Sequence, residues 1–206
     1  MKTRIIKRML SATLAMALIL APSMGAFATT NVPVSGNRAP AAAAQEATVV
    51  APAYKSTSSV AGVKSTVSGV YMLNKGIGAA ILTDASAITV APGAKAFVKA
   101  IDMDVKKSNL AYKCMTDHAA ALGATVVGTI NLEIGQMLAG KYSLLGADVT
   151  VAAAFSVPAA AQGKTVAVLR VQEGGVVTLL QDTDPNPAVV AFNTTGGAAA
   201  YAIIAY

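Results

Sequence analysis

From residue 124 to residue 206 apolar residues recur at every second position in short runs, and Gly, Pro or Asp closes nearly every run. That period belongs to strands with one buried face and suggests an antiparallel sandwich rather than a barrel of parallel strands. In "ATVVGTINLEI" Val126, Ile130, Leu132 and Ile134 face one way, with Asn131 and Glu133 opposite. "DVTVAAAFSV" repeats the pattern with Val149, Val151, Ala153, Phe155 and Val157, then meets Pro158, which cannot continue a ladder. "TVAVLRV" and "VVTLL" flank Glu173-Gly174-Gly175 and read as a hairpin. "AVVAF" and "AAAYAIIAY" follow, the latter alternating Tyr201, Ile203 and Ala205 against Ala202, Ile204 and Tyr206. The expectation is a mainly β domain over 68–206, an antiparallel Ig-like β-sandwich with one short helix.

The helix is expected in "NLAYKCMTDHAAALG", where Leu110, Cys114, His118 and Ala121 recur at helical spacing before Gly123. Ahead of it "KAFVKAIDMDV" alternates, placing Asp102 and Asp104 on one strand face. "VSGVYMLN" and "GAAILT" flank Lys75-Gly76 and suggest a second hairpin.

The first 28 residues read as a signal peptide. Lys2, Arg4, Lys7 and Arg8 precede the apolar "MLSATLAMALILA", and Ala26-Phe27-Ala28 has small residues where a cut after Ala28 needs them. The apolar core is shorter than the roughly 20 residues of a spanning helix, so no transmembrane anchor is expected after cleavage. Residues 29–67 are rich in Ala, Pro, Ser, Thr and Val, lack a sustained period and read as a flexible linker.

Export alters the charge argument. The chain carries 16 Lys+Arg against 10 Asp+Glu, and removing the four leader cations leaves 12 against 10. The remaining cations form no stripe, which argues against nucleic acid. One cysteine cannot form an internal disulfide, so stability must come from packing.

"KTVAVLRVQEGGVVTLLQDTDPNPAVVAFNTTGGAAAYAIIAY" is similar to the last segment of β-sandwich modules in secreted and surface proteins of Gram-positive anaerobic bacteria. The matching places are Arg170, Val171 and Gly174, then Leu180 to Asp184, Phe192 to Thr194, and the closing Tyr201 to Tyr206; Gln172-Glu173 stands where His-Asp is usual. Upstream, "AFVKAIDMDVKKSNLA" and "GATVVGTINLEIGQMLAGKYSLL" resemble small secreted proteins of the same bacteria. The resemblance implies an extracellular Ig-like module and supplies no catalytic residues.

Few motifs in the sequence point to chemistry. Gly76 and Gly78 begin a dinucleotide-type loop, but Ile81 stands where its third glycine belongs. Cys114 and His118, four apart, would share a helix face as a thiol–imidazole pair or two metal ligands, although core or half-exposed helix positions are the simpler reading. Asp182, Asp184 and Asn186 space oxygen side chains as calcium loops begin, yet Pro187 and Asn193 occupy the places of the loop's Gly and Glu. The alternatives are a turn with solvated carboxylates and a weak calcium site; no other cofactor is implied. Asn193-Thr194-Thr195 is formally a glycosylation sequon.

Three functions fit this sequence. The first is a secreted, non-enzymatic module that binds, adheres or spaces at the cell surface through an extracellular protein or glycan partner. The second is a carbohydrate-binding module; with no Trp, its platform would need tyrosines such as Tyr71, Tyr112 or Tyr142. The third is a secreted enzyme, requiring polar groups to converge around Cys114 and His118. The uncharged "AVVAF" and "AAAYAIIAY" also suggest homo-oligomers through edge strands.

Overall fold

The computed structural model describes residues 60–74 and 76–206. The expected signal peptide, residues 29–59 of the linker and Lys75 lie outside them. The described chain is mainly β, in two sheets. The larger holds β1 (Ser68–Met72), β3 (Lys95–Asp102), β4 (Thr125–Leu138), β10 (Gly197–Ala205), β7 (Val166–Val171) and β8 (Val177–Gln181) in that order, with β5 (Lys141–Leu144) also on β4. The smaller runs β2 (Ala79–Ile81), β6 (Thr150–Ser156), β9 (Val189–Thr195). Every pairing is antiparallel except β1 on β3.

Strand β4 organises the larger sheet because it is long enough to take three partners. Its Ile130–Met137 stretch pairs with β3, while its other edge takes β10 up to Ile134 and β5 from Gly135 onward. Gly196 lies at that junction, where a Cβ would collide with the carbonyl of Gly146 and the side chain of Leu145. Gly197 follows with φ of 100°, a conformation L side chains rarely adopt. Two adjacent glycines are therefore what lets β10 start against the end of β5.

The alternation in the sequence sorts the core. Val98 and Ala100, Ile130, Leu132 and Ile134, and Tyr201, Ile203 and Ala205 pack from the larger sheet against Val151, Ala153, Phe155, Val157 and Phe192 from the smaller. Phe155 meets Phe192 at 4.9 Å and Tyr201 at 5.6 Å between ring centroids, so one aromatic cluster joins both sheets. A second core lies on the opposite face of the larger sheet. There Ala167, Leu169, Ala202 and Ile204 meet Met115 and Ala119 of α1 (Asn109–Ala121).

Val126 departs from the expected pattern. The β4–β10 register shifts between Ile203 and Ile204, and this bulge sends Val126 to the helix side while Val127 packs into the inter-sheet core. The helix exists where expected, but its buried face is Met115 and Ala119; Leu110 and His118 are exposed, because the sheet selects the stripe that fits its small residues. No hairpin joins β1 to β2. β1 lies in the larger sheet, where it pairs with β3, and β2 in the smaller, where it pairs with β6. Strand β3 stops at Asp102. Asp104 instead sits in the turn before α1, where its Oδ1 accepts from the Lys106 amide at 3.0 Å, so the two carboxylates do not share a strand face.

Of the expected linker, residues 60–67 are described. Val60 and Val67 are buried, and the Thr66 amide donates to the Ile81 carbonyl at 2.9 Å. No helix among the described residues is long and apolar enough to cross a membrane.

Replacing Phe155 by Ala should cost about 3–5 kcal/mol in urea unfolding, because its ring bridges the sheets. Leu110→Ala, at an exposed position, should stay within about 0.5 kcal/mol. Equal losses at both positions would place the main core elsewhere.

Candidate functional site

A trough crosses the outer face of the larger sheet beyond the N-terminal end of α1. Helix α1 covers Ala202 and Ile204 but leaves Ala198 and Ala200 of the same strand under little more than Ala111. Small residues therefore form the floor. The turn Gln172–Val176 makes one wall, and three adjoining depressions meet at Gln172. The rim is apolar: Leu110 is 77% exposed, Val176 58% and Leu144 49%. Asn131, Glu133, Gln172 and Glu173 add hydrogen-bonding groups.

A rigid ridge borders the floor on the β3–β4–β5 side. The Tyr142 ring lies over Gly135, which has no side chain to displace it, and meets Phe97 edge-on at 5.9 Å. Lys99 sits 3.8 Å from the centre of that ring and pairs with Glu133 at 3.2 Å. Burial, then the Glu133 carboxylate, push the Tyr142 phenol well above its ordinary range. Its hydroxyl is buried and has no hydrogen-bond partner among the described residues.

Behind the turn, between the sheets, lies a buried polar cluster. Arg170, 8% exposed, donates from Nη1 to the Thr194 and Thr195 hydroxyls, each at 3.0 Å. Thr194 Oγ1 also shares a hydrogen bond with the Tyr201 hydroxyl at 2.8 Å. Arg170 Nε finds no acceptor and no carboxylate pairs with the guanidinium among the described residues. The cluster locks the end of β9 to β7 and β10 and holds the wall of the trough from behind. The sequence had marked Arg170 only through a resemblance; its burial follows from facing the same side as Val166 and Val168.

The residues singled out from sequence fall in separate places. Cys114 is half-buried on α1 and borders the trough. His118 is exposed, and its Nδ1 lies 2.8 Å from the Cys114 carbonyl, so the ring engages the helix backbone. Asp182, Asp184 and Asn186 form consecutive turns. Asp182 Oδ1 accepts from the amides of Asp184 and Ala191, each at 3.0 Å, Asp184 Oδ1 from Asn186 at 2.8 Å, and Asn186 Oδ1 from Ala188 at 3.1 Å. One oxygen of each is thus committed to the loop. Among the described residues no group of three or more His, Cys, Asp and Glu side chains could hold a metal ion. Tyr71 binds Ser65 at 2.7 Å beside the inter-sheet core, Tyr112 packs on the helix-side core, and Tyr142 lies on β5. The three tyrosines do not make one platform.

The trough residues Leu110, Val176, Gln172 and Ala198 were missed as a group. The available signal was the change within one strand from Gly196-Gly197-Ala198-Ala199-Ala200 to the bulky Tyr201-Ala202-Ile203-Ile204.

Thr194→Val should destabilise by about 1–3 kcal/mol, since it strips an acceptor from Arg170 and the partner from Tyr201. The phenols of Tyr71, Tyr142 and Tyr201 are all raised, chiefly by burial. Folding favours their neutral forms, so this contribution is complete below about pH 10, where unfolded phenols begin to ionise, and is lost as pH rises through the higher folded values. Phenolate absorbance should therefore lag in the native protein and rise together with alkaline unfolding. Ionisation of every tyrosine ahead of unfolding would contradict this.

Compared with known protein families, characterised proteins and solved structures, the chain matches none.

Proposed function

We propose that this chain is a secreted, non-enzymatic module that binds at or near a bacterial cell surface, with an Ig-like sandwich as its scaffold. The observation that carries this reading is the trough. Exposed Leu110, Val176 and Leu144 surround a floor of small residues, and a mainly apolar concave surface with a few hydrogen-bonding groups is the usual form of a recognition site. The leader pattern in residues 1–28 supports export, and the closing segment's resemblance to surface modules supports the setting. An extended polypeptide suits the trough best, because its rim offers apolar anchors and its floor admits close approach of a backbone.

A glycan is the second reading. It is favoured by Asn131, Gln172 and Glu173 along one groove, which could bind hydroxyls without an aromatic platform.

The test is a binding screen against whole cell walls, wall proteins and a glycan array, with and without calcium. Saturable binding should appear, and Ala198→Trp, which fills the floor, should weaken it at least about tenfold without moving the melting temperature. Binding that Ala198→Trp leaves intact would remove the trough from the reading. Calcium dependence would promote Asp182, Asp184 and Asn186 to ligands. Mass spectrometry of exported protein should find Thr29 as the first residue.

A further inference from the structure

Strand β8 is an outer strand of the larger sheet whose free edge is complementary to itself. The Gln172 amide donates to the Val176 carbonyl at 3.0 Å, which fixes the phase of the hairpin. With Arg170 opposite Thr178 and Val168 opposite Leu180, the backbone groups of residues 176, 178 and 180 turn toward β7. Those of Val177, Leu179 and Gln181 turn outward. The same phase continues into the next loop, where the Thr183 amide donates to the Ala191 carbonyl of β9 at 2.8 Å. Before that crossing, the outward amides and carbonyls of Val177, Leu179 and Gln181 have no partner among the described residues.

The strands that looked exposed in the sequence are not the open ones. β10 is paired on both edges from Ala200 onward, with β4 and β7. β9 is covered at Ala191 by the Thr183 amide and Asp182 Oδ1. β8 lacks the charged residues and Pro that commonly block such an edge. Each of its faces carries half-buried apolar side chains beside one polar residue, Thr178 on one and the exposed Gln181 on the other. Val177 and Leu179 extend the helix-side core, and Leu180 extends the inter-sheet core.

We propose that a second copy of this chain pairs with β8 in antiparallel register about a twofold axis at Leu179. Leu179 then faces Leu179 of the other copy, and Val177 faces Gln181, so every outward group finds its complement in the same sequence. No like charges meet, because residues 174–181 are uncharged. Pairing continues both cores across the axis. This dimer stands independently of what the trough binds.

Sedimentation of the purified chain over a concentration series should show twice the monomer mass. Gln181→Pro removes an outward amide that has no partner among the described residues, and should weaken the dimer at least about tenfold while the monomer keeps its circular dichroism and melting temperature. In a Cys114→Ser background, Leu179→Cys should cross-link the dimer on oxidation, since hydrogen-bonded antiparallel pairs stand about 5.5 Å apart at Cα, within disulfide reach. Gln181→Cys, facing Val177, should not. A monomer at high concentration overturns the proposal. So does a dimer that survives Gln181→Pro and resists cross-linking through Leu179→Cys.

Discussion

The structure depends on β10, which over residues 201–205 has neither a free edge nor a free face. Its backbone is shared between β4 and β7, its odd side chains Tyr201, Ile203 and Ala205 fill the inter-sheet core, and Ala202 and Ile204 fill the core under α1. One strand thus joins three layers. Such a strand must be apolar on both sides, which is why its composition looks like a membrane or sorting signal when read in isolation.

The small residues at the start of the same strand set the opposite condition. Gly196 and Gly197 are required where β10 meets β5, and the alanines after them offer α1 little to pack on. The helix-side core therefore thins out toward Ala198, and the sheet surface there becomes the floor of a trough. Packing on one half of a strand and an open surface on the other come from a single change in side-chain size.

Arg170 shows how the polar interior is arranged. A guanidinium this buried would be costly without partners, and two threonine hydroxyls supply them instead of a carboxylate, with the Tyr201 hydroxyl bonded in turn to that of Thr194. The result ties three strands together at the end of the inter-sheet core and fixes the base of the Gln172–Val176 turn, which is both a wall of the trough and the start of the open β8 edge.

The strand class of the second half, the β7–β8 hairpin, the inward faces of β6 and β10 and the position of the helix are legible along the chain, because side-chain period is a local property of backbone geometry. The remaining features arise from contacts between distant segments. The face α1 buries was chosen by the sheet beneath it, so Met115 and Ala119 displaced the stripe of Leu110 and His118. The bulge opposite Ile203 moved Val126 to the other core, and chain crossing replaced an expected β1–β2 hairpin with pairings across two sheets. The trough shows in the sequence only as the small residues that open β10, because Leu110 on α1, the Gln172–Val176 turn and Ala198 lie far apart along the chain and meet only when the sheet order brings their elements together.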